Sequence, residues 1–208
     1  MNNKIKKFLI FDLDGVLIDS KNNMEISWQE VQKKHSLHKI YFSYYFKQIG
    51  RPFFEILRII GVKKNFKKIK KTYNYVSNKN KHLIKYFDNV NTTLKILKKR
   101  RYSLNILTSK DYKRTKVFLG KNIKFFDEIE CDDGTVNGKP YPEQMEILLQ
   151  KLKAKKNQCI YIGDTHIDYL TAKNSKVDFL FAKWGYGKNY NYKNKCDKIY
   201  DLLKLFKK

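Results

Sequence analysis

Residues 8–20 read F-L-I-F-D-L-D-G-V-L-I-D-S, an apolar run that carries acidic side chains at Asp12, Asp14 and Asp19. A carboxylate inside a buried strand is strongly unfavourable unless it is paired or bound to a metal, so these acids must lie at an edge or in a site. Strand alternation places Asp12 and Asp14 on the same face, and Gly15 permits a turn directly after them. Taken alone, the stretch fits a simple Asp-x-Asp-Gly turn and a functional site equally well.

Apolar runs and helical stretches alternate through the rest of the chain. The predicted strands are residues 7–12, 103–108, 128–131, 158–163 and 178–182, and the predicted helices between them are residues 90–101, 111–120, 141–154 and 167–175. This alternation predicts βαβ units, and therefore an α/β fold with a doubly wound, mostly parallel, Rossmann-like sheet. Ligands of such sheets bind at the carboxyl ends of the strands, where Asp12, Thr108 and Asp164 all fall.

The segment between the first two strands is too long for an ordinary crossover. It carries helical patterns at residues 24–34 and 53–60, and its aromatic residues are concentrated between positions 41 and 54. We therefore predict two units, an α/β core formed by residues 1–20 and 89–208 and an inserted α-helical cap subdomain formed by residues 21–88.

The chain is strongly basic, with a formal net charge of +25 in 208 residues. Such a charge attracts nucleic acids, and a basic nucleic-acid-binding protein on this fold is one hypothesis. The lysines are, however, scattered along the whole chain together with many asparagines, a pattern that an A/T-rich genome also produces. We favour this origin over a dedicated nucleic-acid surface, and we expect the positive field to attract small anionic substrates.

Cysteine usage and hydropathy indicate the compartment. Cys131, Cys159 and Cys196 are widely separated and form no C-x-x-C pair, which favours a reducing environment. Carboxylates interrupt the N-terminal apolar run, no cleavage site follows it, and no later run is long enough to cross a membrane. We expect a soluble cytoplasmic protein without a membrane partner.

Polar side chains follow the predicted strands and precede the third predicted helix. They are Asp12 and Asp14, Thr108 and Ser109, Lys139 on a proline-stiffened turn, and Asp164 with Asp168. Carboxylates such as Asp12 and Asp164 suit Mg²⁺, which proteins usually hold with one or two carboxylates, waters and substrate phosphate. Thr108 and Lys139 can bind phosphate oxygens. One carboxylate remains free to act as a nucleophile, and its neighbour as an acid and base.

These residues fall into four motifs that resemble, in order and in placement, those of the haloacid dehalogenase superfamily of hydrolases. The similar segments are D-L-D-G at 12–15, T-S-K at 108–110, K-P at 139–140, and G-D at 163–164 with Asp168. G-R-P at 50–52 resembles a cap motif of phosphoglycolate-phosphatase-like members, W-G-Y-G at 184–187 resembles the loop after their fifth strand, and residues 196–206 resemble their closing strand and helix. The resemblance covers essentially the whole chain.

The resemblance implies a nucleophile, an acid–base and a metal site. Asp12 would attack phosphorus and form an aspartyl-phosphate, and Asp14 would act first as the acid and then as the base. Asp12, Asp164 and the backbone carbonyl of Asp14 would coordinate Mg²⁺, with Asp168 bound directly or through water. Members that cleave carbon–halogen bonds lack the second carboxylate, so Asp14 favours phosphoryl transfer.

The resemblance also implies how the substrate is bound. Thr108, Ser109 and Lys139 would hold the phosphate, and Arg51 would approach the substrate from the cap loop. We predict a Mg²⁺-dependent phosphatase of a small phosphorylated metabolite, with the cap closing over the site. Phosphoglycolate, sugar phosphates and nucleoside monophosphates all fit, and a β-phosphoglucomutase-like phosphomutase is the alternative enzyme. A closing cap leaves little room for a polynucleotide.

Three further residues lie near these motifs and are given structural roles. We interpret Asp19 as part of the hinge into the cap, Lys110 as a solvated lysine, and His166 as the residue that begins a helix. The oligomeric state is not indicated by any pattern in the chain.

Overall fold

The computed structural model describes residues 6–187 and 191–207. Within them, a six-stranded parallel sheet has the order β5-β4-β1-β6-β7-β8. Its strands are β1 (Phe8–Phe11), β4 (Ser103–Thr108), β5 (Glu128–Cys131), β6 (Cys159–Gly163), β7 (Asp178–Ala182) and β8 (Lys195–Cys196). The predicted α/β fold with a mostly parallel sheet is confirmed.

Helices cover both faces of this sheet because residues of the central strand alternate between two hydrophobic clusters. Leu9 and Phe11 pack in one cluster with α5 (Val90–Lys99) and the C-terminal helix α9 (Leu202–Leu205). Ile10 packs in the opposite cluster with α7 (Glu143–Lys151) and α8 (His166–Ser175). The remaining core helix is α6 (Tyr112–Leu119), which follows β4.

The first four α-helices of the described chain follow β1 and have a hydrophobic cluster of their own. They are α1 (Lys21–Lys34), α2 (Phe42–Phe46), α3 (Phe53–Ile59) and α4 (Phe66–Lys79). Trp28 is fully buried there and stacks on Tyr45, with ring centroids 4.7 Å apart. We propose that this helical unit is the cap predicted for residues 21–88.

A short antiparallel ladder connects these helices to the core. The strands β2 (Ile18–Asp19) and β3 (Lys85–Tyr86) pair through Ile18 with Tyr86 and Asp19 with Lys85. Both connections between the helical unit and the sheet therefore run side by side.

Among residues 6–187 and 191–207, no helix combines the length and the apolar character needed to cross a membrane.

Candidate active site

The topology brings the predicted site residues to one crevice. Strands β4, β1 and β6 are neighbours in the sheet, so Thr108, Asp12 and Asp164 follow one another across its carboxyl edge. A cavity of about 50 Å³ lies between this edge and the helical cap. Of the predicted residues, its walls include Asp12, Asp14, Arg51, Thr108, Ser109 and Lys139.

Lys139 lies fully buried between two carboxylates. Its Nζ atom is 2.7 Å from Oδ1 of Asp12 and 2.8 Å from Oδ1 of Asp168. Burial disfavours the charged lysine, but the two carboxylates outweigh burial and raise the pKa of Lys139. Burial raises the pKa of Asp12 to about 7, even though Lys139 opposes this shift. The lysine therefore stays charged and supports an ionised carboxylate at Asp12.

Asp164 is fully buried and only half satisfied. Its Oδ2 atom accepts a hydrogen bond of 2.6 Å from the backbone N–H of Tyr186, whereas Oδ1 is buried with no hydrogen-bond partner in the part of the chain that the structure describes. Burial, together with the charges of Asp168 and Asp12, raises the pKa of Asp164 well above its usual range. An oxygen left without a donor in such a place is suited to a cation.

Oxygen atoms of three buried carboxylates converge here. One oxygen each of Asp12, Asp164 and Asp168 lies within 4.8 Å of the others. This set of hard oxygen donors, with the unpartnered Oδ1 of Asp164, fits Mg²⁺. Asp12 and Asp164 are the two residues of the set with oxygen atoms left to coordinate a metal.

Asp168 is held by several donors at the start of α8. Its Oδ2 atom accepts hydrogen bonds from the backbone N–H of Thr165 at 3.0 Å and from its hydroxyl at 2.6 Å. Its Oδ1 atom accepts bonds from Lys139 and from the hydroxyl of Tyr161, both at 2.8 Å. Burial works against ionisation, but Lys139 and the hydrogen bonds lower the pKa of Asp168. Asp168 therefore orients Lys139.

Asp14 lies beside a second lysine. Its Oδ1 atom accepts a 2.5 Å hydrogen bond from the Ser20 hydroxyl, and its Oδ2 atom is 3.1 Å from Nζ of Lys110. Lys110 is only 6% exposed, so the interpretation of Lys110 as a solvated lysine is wrong. The lysine-rich composition of the chain hides this residue, because nothing local distinguishes it from its exposed counterparts.

The two hydroxyl residues at the end of β4 are used differently. Thr108 is buried, and its Oγ1 atom accepts a hydrogen bond of 3.2 Å from the backbone N–H of Lys110, which leaves its own proton available to a ligand. Ser109 instead donates a 2.6 Å hydrogen bond to the backbone carbonyl of Gly50 in the cap. With the cap in this position, the Ser109 proton is not available to a phosphate.

Arg51 reaches the cavity from the cap side. One of its terminal nitrogen atoms pairs with Glu55, and its Nε atom is buried without a hydrogen-bond partner within the described residues. The loop after β7 packs against Asp164. A side chain at Gly185 would collide with Asp164 and with the backbone carbonyl of Gly15, which explains why a glycine precedes Tyr186.

The other two interpreted residues lie at the edge of the site. Asp19 is in β2, at the entry to the cap, and accepts hydrogen bonds from the backbone N–H of Lys21 at 3.1 Å and from the Tyr186 hydroxyl at 2.8 Å. His166 begins α8, as predicted, and its Nδ1 atom lies 3.0 Å from the hydroxyl oxygen of Tyr192.

The cavity has further walls that the motifs do not include. Arg114 from α6 and the cap residues Tyr45 and Tyr73 all contribute to it. Only the placement of the cap over the sheet brings them together. The sequence does not single them out, because Arg114 is one of many basic residues and the two tyrosines are among many aromatic residues of the inserted segment.

Comparison with known proteins gives the following similarities. The family model described as haloacid dehalogenase-like hydrolase matches residues 9–182. The chain is 28% identical over 209 residues to pyrophosphatase PpaX of Bacillus anthracis, covering 95% of this chain and 94% of that protein. It is also 28% identical to pyrophosphatase PpaX of Oceanobacillus iheyensis, over 88% of this chain and 86% of the relative.

Solved structures share the fold at lower sequence identity. A haloacid dehalogenase-like family hydrolase from Streptococcus pneumoniae superposes with a TM-score of 0.82 at 24% identity, over 97% of this chain and 99% of that one. The structure of a predicted phosphoglycolate phosphatase from Haemophilus somnus superposes with a TM-score of 0.85 at 21% identity, over 99% and 100% of the two chains. The whole described architecture, cap helices included, therefore has counterparts of known structure.

Proposed function

Since this chain belongs to the haloacid dehalogenase-like hydrolase family, we propose that it is a Mg²⁺-dependent phosphatase of a small phosphorylated metabolite. The buried arrangement of Lys139 between Asp12 and Asp168, beside the unpartnered Oδ1 atom of Asp164, carries this proposal. It supplies a nucleophile, a fixed positive charge and a cation site at one sheet edge. The cavity is lined both by the sheet edge and by the helical unit, which supports a small substrate rather than a polymer.

In the proposed reaction Asp12 attacks the phosphorus atom. A bond forms between an Asp12 oxygen and phosphorus, and the bond between phosphorus and the leaving oxygen breaks. Asp14 donates a proton to that leaving oxygen, then removes a proton from the water that hydrolyses the aspartyl-phosphate. Phosphate is released, and both carboxylates return to their starting states.

The surrounding residues bind and neutralise the transferred group. Lys139 offers a buried positive charge, and Thr108 offers a hydroxyl proton, to the non-bridging phosphate oxygens. Asp12 and Asp164 would hold Mg²⁺, which when bound supplies further positive charge to those oxygens. Asp168 keeps Lys139 in place, and Arg51 is positioned to contact the substrate from the cap.

The relatives support this class of reaction and suggest substrates to test. Two relatives are pyrophosphatases, and one structural counterpart has the name of a phosphoglycolate phosphatase. Inorganic pyrophosphate and phosphoglycolate are therefore the first candidates, followed by small sugar phosphates.

Cys131, Cys159 and Cys196 are unpaired and buried, which supports a reducing, cytoplasmic environment.

The test is phosphate release from a panel of phosphorylated metabolites with Mg²⁺, compared with EDTA. Asp12→Asn is expected to lower the rate by at least about a thousandfold, because it removes the nucleophile. Asp88→Asn, which makes the same chemical change at an exposed position, should leave the rate unchanged. Full activity of Asp12→Asn, or no phosphate release from any substrate by the unaltered protein, would contradict the proposal.

A further inference from the structure

The cavity wall contains more cationic than anionic side chains. Its charged walls are four cations and two carboxylates, namely Arg51, Lys110, Arg114, Lys139, Asp12 and Asp14. Lys139 is already paired with Asp12, and Lys110 with Asp14. The two arginines pair with carboxylates outside the cavity wall, Arg51 with Glu55 and Arg114 with Asp111. Each arginine nevertheless keeps one buried nitrogen atom without a hydrogen-bond partner within the described residues, and Arg114 is the more buried of the two.

Arg114 is a buried guanidinium with a free donor. The residue is 6% exposed, and its Nε atom donates a 2.8 Å hydrogen bond to Asp111. Its Nη1 atom is buried and has no hydrogen-bond partner among residues 6–187 and 191–207. A buried charged donor without a partner is strongly unfavourable, and an anion bound in the cavity would satisfy it.

Two tyrosines from the cap complete the surroundings of Arg114. The Arg114 guanidinium carbon lies 5.6 Å from the ring centre of Tyr73, and the Tyr45 hydroxyl donates a 3.1 Å hydrogen bond to that of Tyr73. Both tyrosines are buried in the cavity wall. A hydrogen bond between two hydroxyl groups uses one of their two protons, so the pair can donate the other to a ligand.

Lys110 lies close enough to Arg114 for the two charges to interact unfavourably. Burial lowers the pKa of Lys110, Asp14 opposes this shift, and Arg114 lowers it further. Two cations and a hydroxyl proton thus line the cavity that also contains Asp12 and Lys139. An anionic group of the ligand would relieve the repulsion between the cations.

We propose that Arg114 and the Tyr45–Tyr73 hydroxyl pair form a binding site for a second anionic group of the substrate. The substrate is then a small compound with two anionic groups, the transferred phosphate and either a second phosphate or a carboxylate. This assignment rests on the proposed function, since that function places the transferred phosphate beside Asp12.

The experiment compares three small substrates, of which inorganic pyrophosphate and phosphoglycolate carry the second anionic group and acetyl phosphate does not. Arg114→Met is expected to lower kcat/KM for the better of the first two by about ten- to a hundredfold, mainly through KM. Its kcat/KM for acetyl phosphate should change by less than about threefold. The better of the two substrates identifies the second group as phosphate or carboxylate.

Arg58→Met is a matched control. Arg58 also lies 5.6 Å from an aromatic ring, that of Phe66, but it is exposed on the cap and away from the cavity. Its replacement should change none of the three rates. Tyr73→Phe removes the hydroxyl and keeps the ring. It should therefore raise KM for the doubly anionic substrate, as Arg114→Met does, but by a smaller factor.

Inhibition of the unaltered protein tests the same assignment if Arg114→Met fails to fold. Phosphonoacetate carries a second anionic group and ethylphosphonate does not, so phosphonoacetate should inhibit acetyl phosphate hydrolysis at a concentration at least about tenfold lower. The assignment is overturned if phosphonoacetate and ethylphosphonate inhibit equally. It is also overturned if Arg114→Met loses activity equally toward all three substrates, or loses none. Hydrolysis of acetyl phosphate alone by the unaltered protein also overturns it, and leaves the phosphatase standing. Hydrolysis of a sugar phosphate but of none of the three also overturns the assignment alone, whereas failure to hydrolyse any compound of the metabolite panel contradicts the phosphatase itself.

Discussion

Replacing Asp164 by asparagine is expected to stabilise the metal-free protein while removing its response to Mg²⁺. The Asp164 carboxylate is fully buried, and its Oδ1 atom has no donor within the described chain. Asparagine keeps an oxygen for the Tyr186 N–H and turns an amide toward Asp12 and Asp168, whose oxygens lie within 4.8 Å of a carboxylate oxygen of Asp164. Removing an unsatisfied buried charge is expected to stabilise by about 1–3 kcal/mol.

The effect has a definite dependence on pH. An acid with a raised pKa binds more protons in the folded than in the unfolded state, so the folded protein loses stability as the pH rises above the acid's ordinary pKa. For Asp12 this interval runs from 3.8 to about 7, and the pKa of Asp164 is also raised. The advantage of Asp164→Asn should therefore be small near pH 4 and grow as the pH rises above the ordinary pKa of the acid.

Urea unfolding in EDTA measures the effect directly. A gain of about 2 kcal/mol corresponds to a rise in the midpoint of about 1 M at a typical dependence on urea. Saturating Mg²⁺ should then make the unaltered protein the more stable of the two. At a hundred times Kd it stabilises the unaltered protein by about 2.7 kcal/mol, and it should leave the stability of Asp164→Asn unchanged. Asp88→Asn controls for the change in net charge. A lower midpoint for Asp164→Asn in EDTA, or equal stabilisation of both proteins by Mg²⁺, would refute the reasoning.

Three other substitutions test separate parts of the site. Lys139→Met should lower the free energy of unfolding in EDTA by about 3–5 kcal/mol, because its two buried carboxylate partners lose their cation, and an unchanged urea midpoint would argue against this. Ser109→Ala removes the hydrogen bond to Gly50 and should lower the free energy of unfolding by about 0.5–1.5 kcal/mol. It should also speed proteolysis of the cap and leave KM unchanged. A large rise in KM would instead favour the phosphate-binding role predicted for Ser109. Gly185→Ala should destabilise by about 1–3 kcal/mol and weaken the response to Mg²⁺ in thermal melts, because the added methyl group displaces Asp164.

The sequence predicts the sheet and its acidic residues well, for a physical reason. Buried parallel strands correspond to short apolar runs in the sequence, and a carboxylate at the end of such a run can lie only at the sheet edge. The placement of Asp12, Thr108 and Asp164 at the sheet edge follows from their positions at the ends of predicted strands. Lys139 also follows from its turn, although its contact with Asp168 is a tertiary feature that the local pattern does not encode.

The cap side of the cavity is not predictable in the same way. Lys110 and Arg114 resemble many other basic residues of this chain, and their burial depends on how the cap lies over α6. The partner of Ser109 is a backbone carbonyl 59 positions away along the chain, and no local sequence pattern specifies it. The residues that we propose select the substrate come from both units, so their role depends on tertiary packing rather than on any local periodicity.

The two-residue ladder between β2 and β3 makes the helical unit removable as one piece. Asp19 and Lys85 are paired neighbours across the ladder, and antiparallel strands of this kind can be joined by a turn of two residues. Replacing residues 20–84 by Asn-Gly would therefore preserve the strand pairing and leave the six-stranded sheet with its helices. The shortened protein would expose Asp12 and Lys139 to bulk water and to phosphorylated macromolecules. A different helical unit could therefore be inserted between β2 and β3 to change which substrates the protein accepts.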